Sequence, residues 1–203
     1  MIKWLFFDLG STLIDERECD EYRLQDLLRQ ENAPGREVLE QRIMENVARG
    51  GSPYRHTVRD LGMKGMDWPQ HLEKLYEGVP EVLEELHGRY HLGVIANQSL
   101  GTEERLVKFG IRQYFDVILS SAEEGVEKPD TEIFRRALKR TACMPEEAYM
   151  IGDRLDNDIE PAAGLGMHTI WVKQAMYACA DLNSICCKPD IVVECVRDLL
   201  QHV

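Results

Sequence analysis

Six short apolar runs punctuate the chain, at residues 2–7, 91–97, 115–120, 149–152, 169–172 and 191–193. Helix-periodic segments separate most of the later ones. Strand–helix alternation of this kind predicts parallel strands joined by right-handed crossovers. The expected fold class is α/β: a doubly wound, mostly parallel sheet with a Rossmann-like core. The chain has 203 residues and is 44% hydrophobic, enough to bury one substantial core.

The helices between the runs carry their own marks. Val79, Val82, Leu83 and Leu86 share one face of a helix that Pro80 and Glu81 open and Gly88 ends. Thr102 suits the cap of a helix over 103–109, with Gly110 as its stop. Asp130 suits the cap of a helix carrying Ile133, Phe134, Ala137 and Leu138. Further helices are expected near 159–163 and over 195–201. Residues 15–78 differ from all of this. Tyr22, Leu24, Leu27 and Leu28 form one apolar helical stripe, and Val38, Leu39, Ile43 and Val47 form another. Asn32, Ala33, Pro34 and Gly35 break the pattern, as do Gly50, Gly51, Ser52 and Pro53. No strand is expected there. The division that follows is a core of residues 1–14 and 79–203 with a small α-helical insertion at 15–78.

Composition excludes several partners. A formal charge of −12 with no basic patch argues against nucleic acid, whose phosphates are bound by displacing counterions with Lys and Arg. A small phosphorylated compound is compatible, given local lysines, backbone N–H groups or a metal ion. The apolar stretch after Lys3 is interrupted by Asp8, too early for a signal-peptide core or a membrane span, so a cytoplasmic location is expected. Six cysteines, at 19, 143, 179, 186, 187 and 195, match neither a disulfide framework nor a paired zinc site; reduced structural thiols are expected.

In an open parallel sheet the residues just past each strand gather on one edge. Here these are Asp8, Ala96 and Asn97, Ser120 and Ser121 with Lys128 nearby, then Asp153 and Asp158. Three carboxylates and one ammonium thus converge from distant parts of the sequence. Acids with no His or Cys beside them suit a hard, oxygen-seeking cation, Mg²⁺ above all.

These residues stand in the order and spacing of the motifs of the haloacid dehalogenase-like superfamily of hydrolases, which the chain resembles over essentially its whole length. The first motif corresponds to Asp8, Leu9, Gly10, Ser11 and Thr12; the second to Ile95, Ala96 and Asn97. The third corresponds to Lys128 between Glu127 and Pro129, and the fourth to Gly152 and Asp153 with Asp158 downstream. The resemblance implies catalysis by Asp8, as nucleophile forming an aspartyl-phosphate, and by Lys128. It implies Mg²⁺ held by Asp8, the carbonyl of Gly10, Asp153 and Asp158. Phosphate contacts would come from Leu9, Gly10, Asn97 and Lys128, and residues 15–78 would be a cap. The implied activity is Mg²⁺-dependent hydrolysis of a small phosphorylated metabolite.

Two positions depart from the family pattern. Gly10 stands where phosphatases of the family carry the Asp that protonates the leaving alcohol, and Ala96 lacks the usual hydroxyl. The Asn97 amide is the natural substitute for the latter. Asp15, Glu16 and Glu18 follow Gly10, with nothing in the sequence to bring any of them to the leaving group. A catalytically weak binding or regulatory protein is therefore the alternative reading. A metal-independent 2-haloacid dehalogenase, which also lacks the second Asp, ranks lower because it has no use for Asp153 and Asp158 together.

Overall fold

The computed structural model describes residues 1–47 and 49–203. In chain order the elements are β1 (Trp4–Phe7), β2 (Ile14–Asp15), α1 (Arg17–Leu28), α2 (Arg36–Val47), α3 (Pro53–Asp60), β3 (Lys74–Leu75), α4 (Val79–His87) and β4 (His91–Ala96). They continue with α5 (Thr102–Lys108), β5 (Val117–Ser120), α6 (Ser121–Glu124), α7 (Thr131–Thr141), β6 (Ala148–Gly152), α8 (Glu160–Gly164), β7 (His168–Val172) and β8 (Ile191–Val193). Six strands form one parallel sheet in the order β5-β4-β1-β6-β7-β8.

β1 is central and its side chains alternate between the two faces of the sheet. Leu5 and Phe7 pack with Val79, Val82, Leu83 and Leu86 of α4, Leu106 of α5, and Val196 and Leu199 near the C-terminus. Phe6 packs on the opposite face with Ile133, Phe134, Ala137 and Leu138 of α7 and Ala162 of α8. Covering both faces is what makes a parallel sheet's strands continuously apolar. The chain runs from β1 outward through β4 to β5, then returns to the other flank of β1 for β6, β7 and β8. The strand order therefore reverses between β1 and β6, and a crevice opens at their carboxyl ends.

Several local expectations change. The segment after residue 13 is not purely helical: β2 and β3 pair antiparallel, Ile14 opposite Leu75 and Asp15 opposite Lys74. Strands of two residues carry no readable alternation. Thr102 does not cap α5; it lies in the first turn and its hydroxyl donates to the Ser99 carbonyl (3.0 Å), while Gly101 takes the cap position with φ of 85°. Asp130 does cap α7, accepting from the Glu132 N–H at 2.9 Å. The C-terminal element, Val196–Gln201, is a 3₁₀ helix. All six cysteines are free thiols; Cys19 and Cys143 are buried, and Cys179 and Cys186 are exposed. Among the described residues, no helix is long and apolar enough to cross a membrane.

The inserted helices build a small core of their own from Leu24, Leu27, Leu39 and Tyr54. Tyr22 and Val38, placed in the expected stripes, face solvent instead. The interior is partly polar. The Arg23 guanidinium stacks over the Tyr54 ring at 3.3 Å, and the Asn46 amide donates to the Thr57 hydroxyl at 3.0 Å.

Candidate active site

The crevice between β1 and β6 holds the acids. Asp8 follows β1, and its backbone N–H still donates to the Ile151 carbonyl of β6 at 2.9 Å, so the sheet ladder fixes its position. Asp153 follows β6. Its carbonyl accepts from the Trp171 indole of β7 (2.7 Å), and its Oδ1 accepts from the Thr12 hydroxyl (3.2 Å). Thr12 therefore joins the turn after β1 to the end of β6. Asp158 lies in a π-helical turn, Leu155–Ile159, where its Oδ2 accepts from the Arg154 N–H at 3.0 Å. Turns of this type recur at functional sites. Gly152 is required there, because a Cβ on it would lie 2.3 Å from Asp158 Oδ2. Asp156, two residues earlier, is instead paired with the Arg154 guanidinium.

Lys128 joins these groups. Its Nζ donates to Asp8 Oδ1 at 2.7 Å and to Asp158 Oδ1 at 2.5 Å, and its side chain is buried. Burial alone would lower the ammonium's pKa, but the Asp158 and Asp8 carboxylates outweigh burial and hold it above the ordinary lysine value. Burial, then Asp8 and Asp158, pushes Asp153 well above the carboxylate range. The same burial raises Asp158 to about 6 even with Lys128 opposing it. One ammonium is too little charge for three buried acids.

That imbalance bears on the cation. Asp8, Asp153 and Asp158 each offer an oxygen within 4.8 Å of the others, and Asp153 Oδ2 is buried with no hydrogen-bond partner. With all three ionised, the carboxylates would exceed the one ammonium by two negative charges, which a bound cation would offset, and the orphaned oxygen offers a ligand. An all-oxygen donor set with that charge fits a hard divalent ion.

The four acid and lysine positions predicted from sequence thus meet in one place. The Asn97 side chain is engaged with the backbone of Lys128. Its side-chain amide donates to the Lys128 carbonyl and accepts from the Lys128 N–H, both at 2.8 Å. It clamps the lysine's backbone, which leaves one amide N–H uncommitted. The main-chain N–H groups of Leu9, Gly10 and Asn97 have no acceptor among the described residues.

Of the three acids that follow Gly10 in the sequence, the structure brings one to the crevice. After β1 the chain makes a tight turn in which the Leu9 carbonyl accepts from the N–H groups of Thr12, Leu13 and Ile14. Ser11 adopts φ of 55°, a left-handed conformation rare for serine, and β2 then leads back past Gly10. Glu16, immediately after β2, is half-buried with its carboxylate over Gly10. The Ser11 hydroxyl donates to its Oε2 at 3.1 Å. Burial first, then the Asp20 and Asp8 charges, pushes Glu16 up to about 8.

With this geometry in hand, the chain can be set beside known proteins. The profile of the haloacid dehalogenase-like hydrolases matches residues 5–172. The chain belongs to that family. Its fold and its hydrolase class are those of the family. A glyceraldehyde 3-phosphate phosphatase of Pyrococcus abyssi is 30% identical over 196 residues, spanning 85% of this chain and 82% of that protein. A hydrolase of the family from Bacillus subtilis, YfnB, solved bound to magnesium, superposes with a TM-score of 0.73. At 20% identity, with 99% of this chain and 98% of that one covered, it speaks to the fold alone. A 2-haloacid dehalogenase of Pseudomonas syringae superposes with a TM-score of 0.62 at 25% identity, covering 99% and 97% of the two chains. The fold is therefore shared by phosphatases and dehalogenases, and the choice between them rests on the site.

Proposed function

We propose that this chain is a Mg²⁺-dependent phosphohydrolase for a small phosphorylated metabolite, working through an aspartyl-phosphate on Asp8. The observation that carries the reading is the charge deficit at the sheet edge. Asp8, Asp153 and Asp158 are buried against a single lysine, beside main-chain donors with no acceptor among the described residues. A dianionic phosphoryl group brought with a divalent ion uses both features. A carboxylate–halide exchange needs no divalent ion and has no use for Asp153 and Asp158 together, which disfavours the dehalogenase reading. The named activity of the Pyrococcus abyssi relative supports the same choice.

Asp8, Asp153, Asp158 and the Gly10 carbonyl would hold the ion. When bound, it would offset the repulsion between the attacking carboxylate and the anionic phosphoryl group. The chain's own residues do the rest. Lys128 fixes Asp8 Oδ1, so Oδ2, which has no hydrogen-bond partner among the described residues, is the oxygen presented for attack. The same ammonium can neutralise phosphoryl oxygens, and Asn97 keeps it in register by clamping its backbone. Leu9, Gly10 and Asn97 supply N–H groups to cradle the transferring group. Residues 15–78 act as a cover that excludes bulk water and reads the leaving group. Arg154 ties that insertion to the sheet edge through the Gly51 carbonyl, at 2.9 Å.

Phosphate release from p-nitrophenyl phosphate, measured with Mg²⁺ and with chelator, tests the reading. Turnover is expected only with the metal, and Asp8→Asn should remove it. Metal-independent turnover, or turnover indifferent to the substitution, would exclude the proposal.

A further inference from the structure

The family's proton-carrying Asp is absent, yet a carboxylate stands in its place. A Cβ added to Gly10 would lie 2.7 Å from Glu16 Oε1, 2.9 Å from Oε2 and 3.0 Å from Cδ. Any side chain at residue 10 would therefore need the space that the Glu16 carboxyl group fills. Glycine at 10 and glutamate at 16 are two halves of one arrangement.

The position is built. Glu16 is set by the end of β2 and the start of α1, and β2 is itself held by β3 and by the Ser11 N–H, which donates to the Ile14 carbonyl at 2.9 Å. The Gln174 amide braces the same turn by donating to the Ser11 and Thr12 carbonyls, at 3.3 and 3.0 Å. Ser11 orients Oε2, and Oε1 has no hydrogen-bond partner among the described residues. No cation pairs with Glu16 among the described residues. Asp15 and Glu18, the neighbouring acids, are engaged elsewhere, by Arg17 and Lys74 respectively.

We infer that Glu16 is the general acid and base of this site, delivered across the turn from β2 in place of a side chain on residue 10. The inference rests on the phosphatase reading above and deepens it. In the first step Asp8 forms a bond to phosphorus as the bond from phosphorus to the ester oxygen breaks. The protonated Glu16 carboxyl gives its proton to that departing oxygen, releasing a neutral alcohol. In the second step a water oxygen bonds to phosphorus and the bond from phosphorus to Asp8 breaks. The Glu16 carboxylate takes a proton from that water. Asp8 and protonated Glu16 are regenerated, and inorganic phosphate leaves.

Glu16→Gln, nearly isosteric, tests this against two aryl phosphates in saturating Mg²⁺. Phenyl phosphate has the poorer leaving group and p-nitrophenyl phosphate the better one. Steady-state kcat should fall by about 10²–10³ on both, because water activation is lost. Single-turnover release of phenol should fall far more than release of p-nitrophenol. With the latter, one equivalent of p-nitrophenol per chain should appear in a burst as the phosphoenzyme accumulates. The double variant Gly10→Asp/Glu16→Ala, which returns a carboxylate to that space from residue 10, should recover much of the loss. A Glu16→Gln protein as fast as the wild type overturns the inference. So does one slowed equally on both esters without a burst, the mark of a merely structural role. If the wild type itself releases no phosphate from either ester, the phosphatase reading falls and this inference with it.

Discussion

At the sheet edge, Asp8, Asp153 and Asp158 are 8%, 1% and 0% exposed and held by strands whose both faces are covered; in the insertion, the acids Glu16 and Asp20 are half-buried beside a helix. The first group draws its order from six hydrogen-bonded strands and two extensive apolar layers. The second rests on a core of four buried apolar side chains, a stacked arginine, and surface pairs such as Arg36 with Glu21 and Glu40. The proposed nucleophile and metal ligands lie on the more extensively packed half. The proposed proton carrier, which would meet the leaving group, lies on the half with the smaller core. Local stability follows buried apolar contact, so the insertion should open at lower free energy than the sheet.

The sharpest way to break this contrast is to remove a sheet-edge charge and ask whether chemistry or folding suffers. Asp8→Asn should lower kcat/KM by on the order of 10⁴ or more while the protein still folds. A large loss of stability with residual activity would mean that Asp8 is a structural partner of Lys128. Lys128→Met is the complementary change. Removing the cation from between Asp8 and Asp158 leaves buried acids uncompensated, and about 3–5 kcal/mol should be lost in urea unfolding without metal. A shift below about 1 kcal/mol would show that these acids are not charged together in the folded state.

Core truncations compare the halves directly. Phe134 is fully buried on the sheet, and Phe134→Ala should destabilise the whole chain by about 3–5 kcal/mol. Leu39 is as deeply buried, but its neighbours Ile43, Val58 and Met66 are only partly covered and can collapse into the gap. Leu39→Ala should cost about 2 kcal/mol, near the low end for such a change, and should speed amide exchange in α1–α3 while leaving β1 and β6 protected. Equal effects on both sets of amides would mean that insertion and sheet open as one unit.

The rigid half was also the legible half. A strand that ends at a sheet edge marks candidate residues by position: Asp8 and Asp153 directly follow β1 and β6, and Lys128 and Asp158 lie in the segments after β5 and β6. Apolar periodicity likewise gave α4 and α7 their buried faces. Glu16 could not be found so. Its reach depends on a turn in which Ser11 takes a left-handed conformation and on a two-residue strand pair, and neither leaves a periodic trace. The available hint was negative: a glycine at a position that needs a carboxylate implies that another chain segment fills the space. The Asn97 side chain was ambiguous for a related reason. An amide near a strand end can bind ligand or backbone, and only the path of the chain at Lys128 decides which.

The smallest expected effect concerns Asp20, one turn into α1 and half-buried near Arg23. Burial pushes its pKa up to about 6, with Arg23 opposing. In the unfolded chain an aspartate titrates near 3.9. A raised folded value means that folding favours the protonated form. Asp20 therefore opposes folding least below about pH 4, and the penalty grows as the pH rises through 6. Asp20→Asn should then stabilise the protein by about 1 kcal/mol at pH 7.5, after allowance for solvent screening, and by almost nothing at pH 4. Melting temperatures of the two proteins across that range would check the sign. A difference that did not change with pH would trace to helix propensity or packing rather than to charge. If the insertion melts ahead of the sheet, the pH-dependent gain should appear in the first transition and leave the second unmoved, which would place the charge penalty in the insertion.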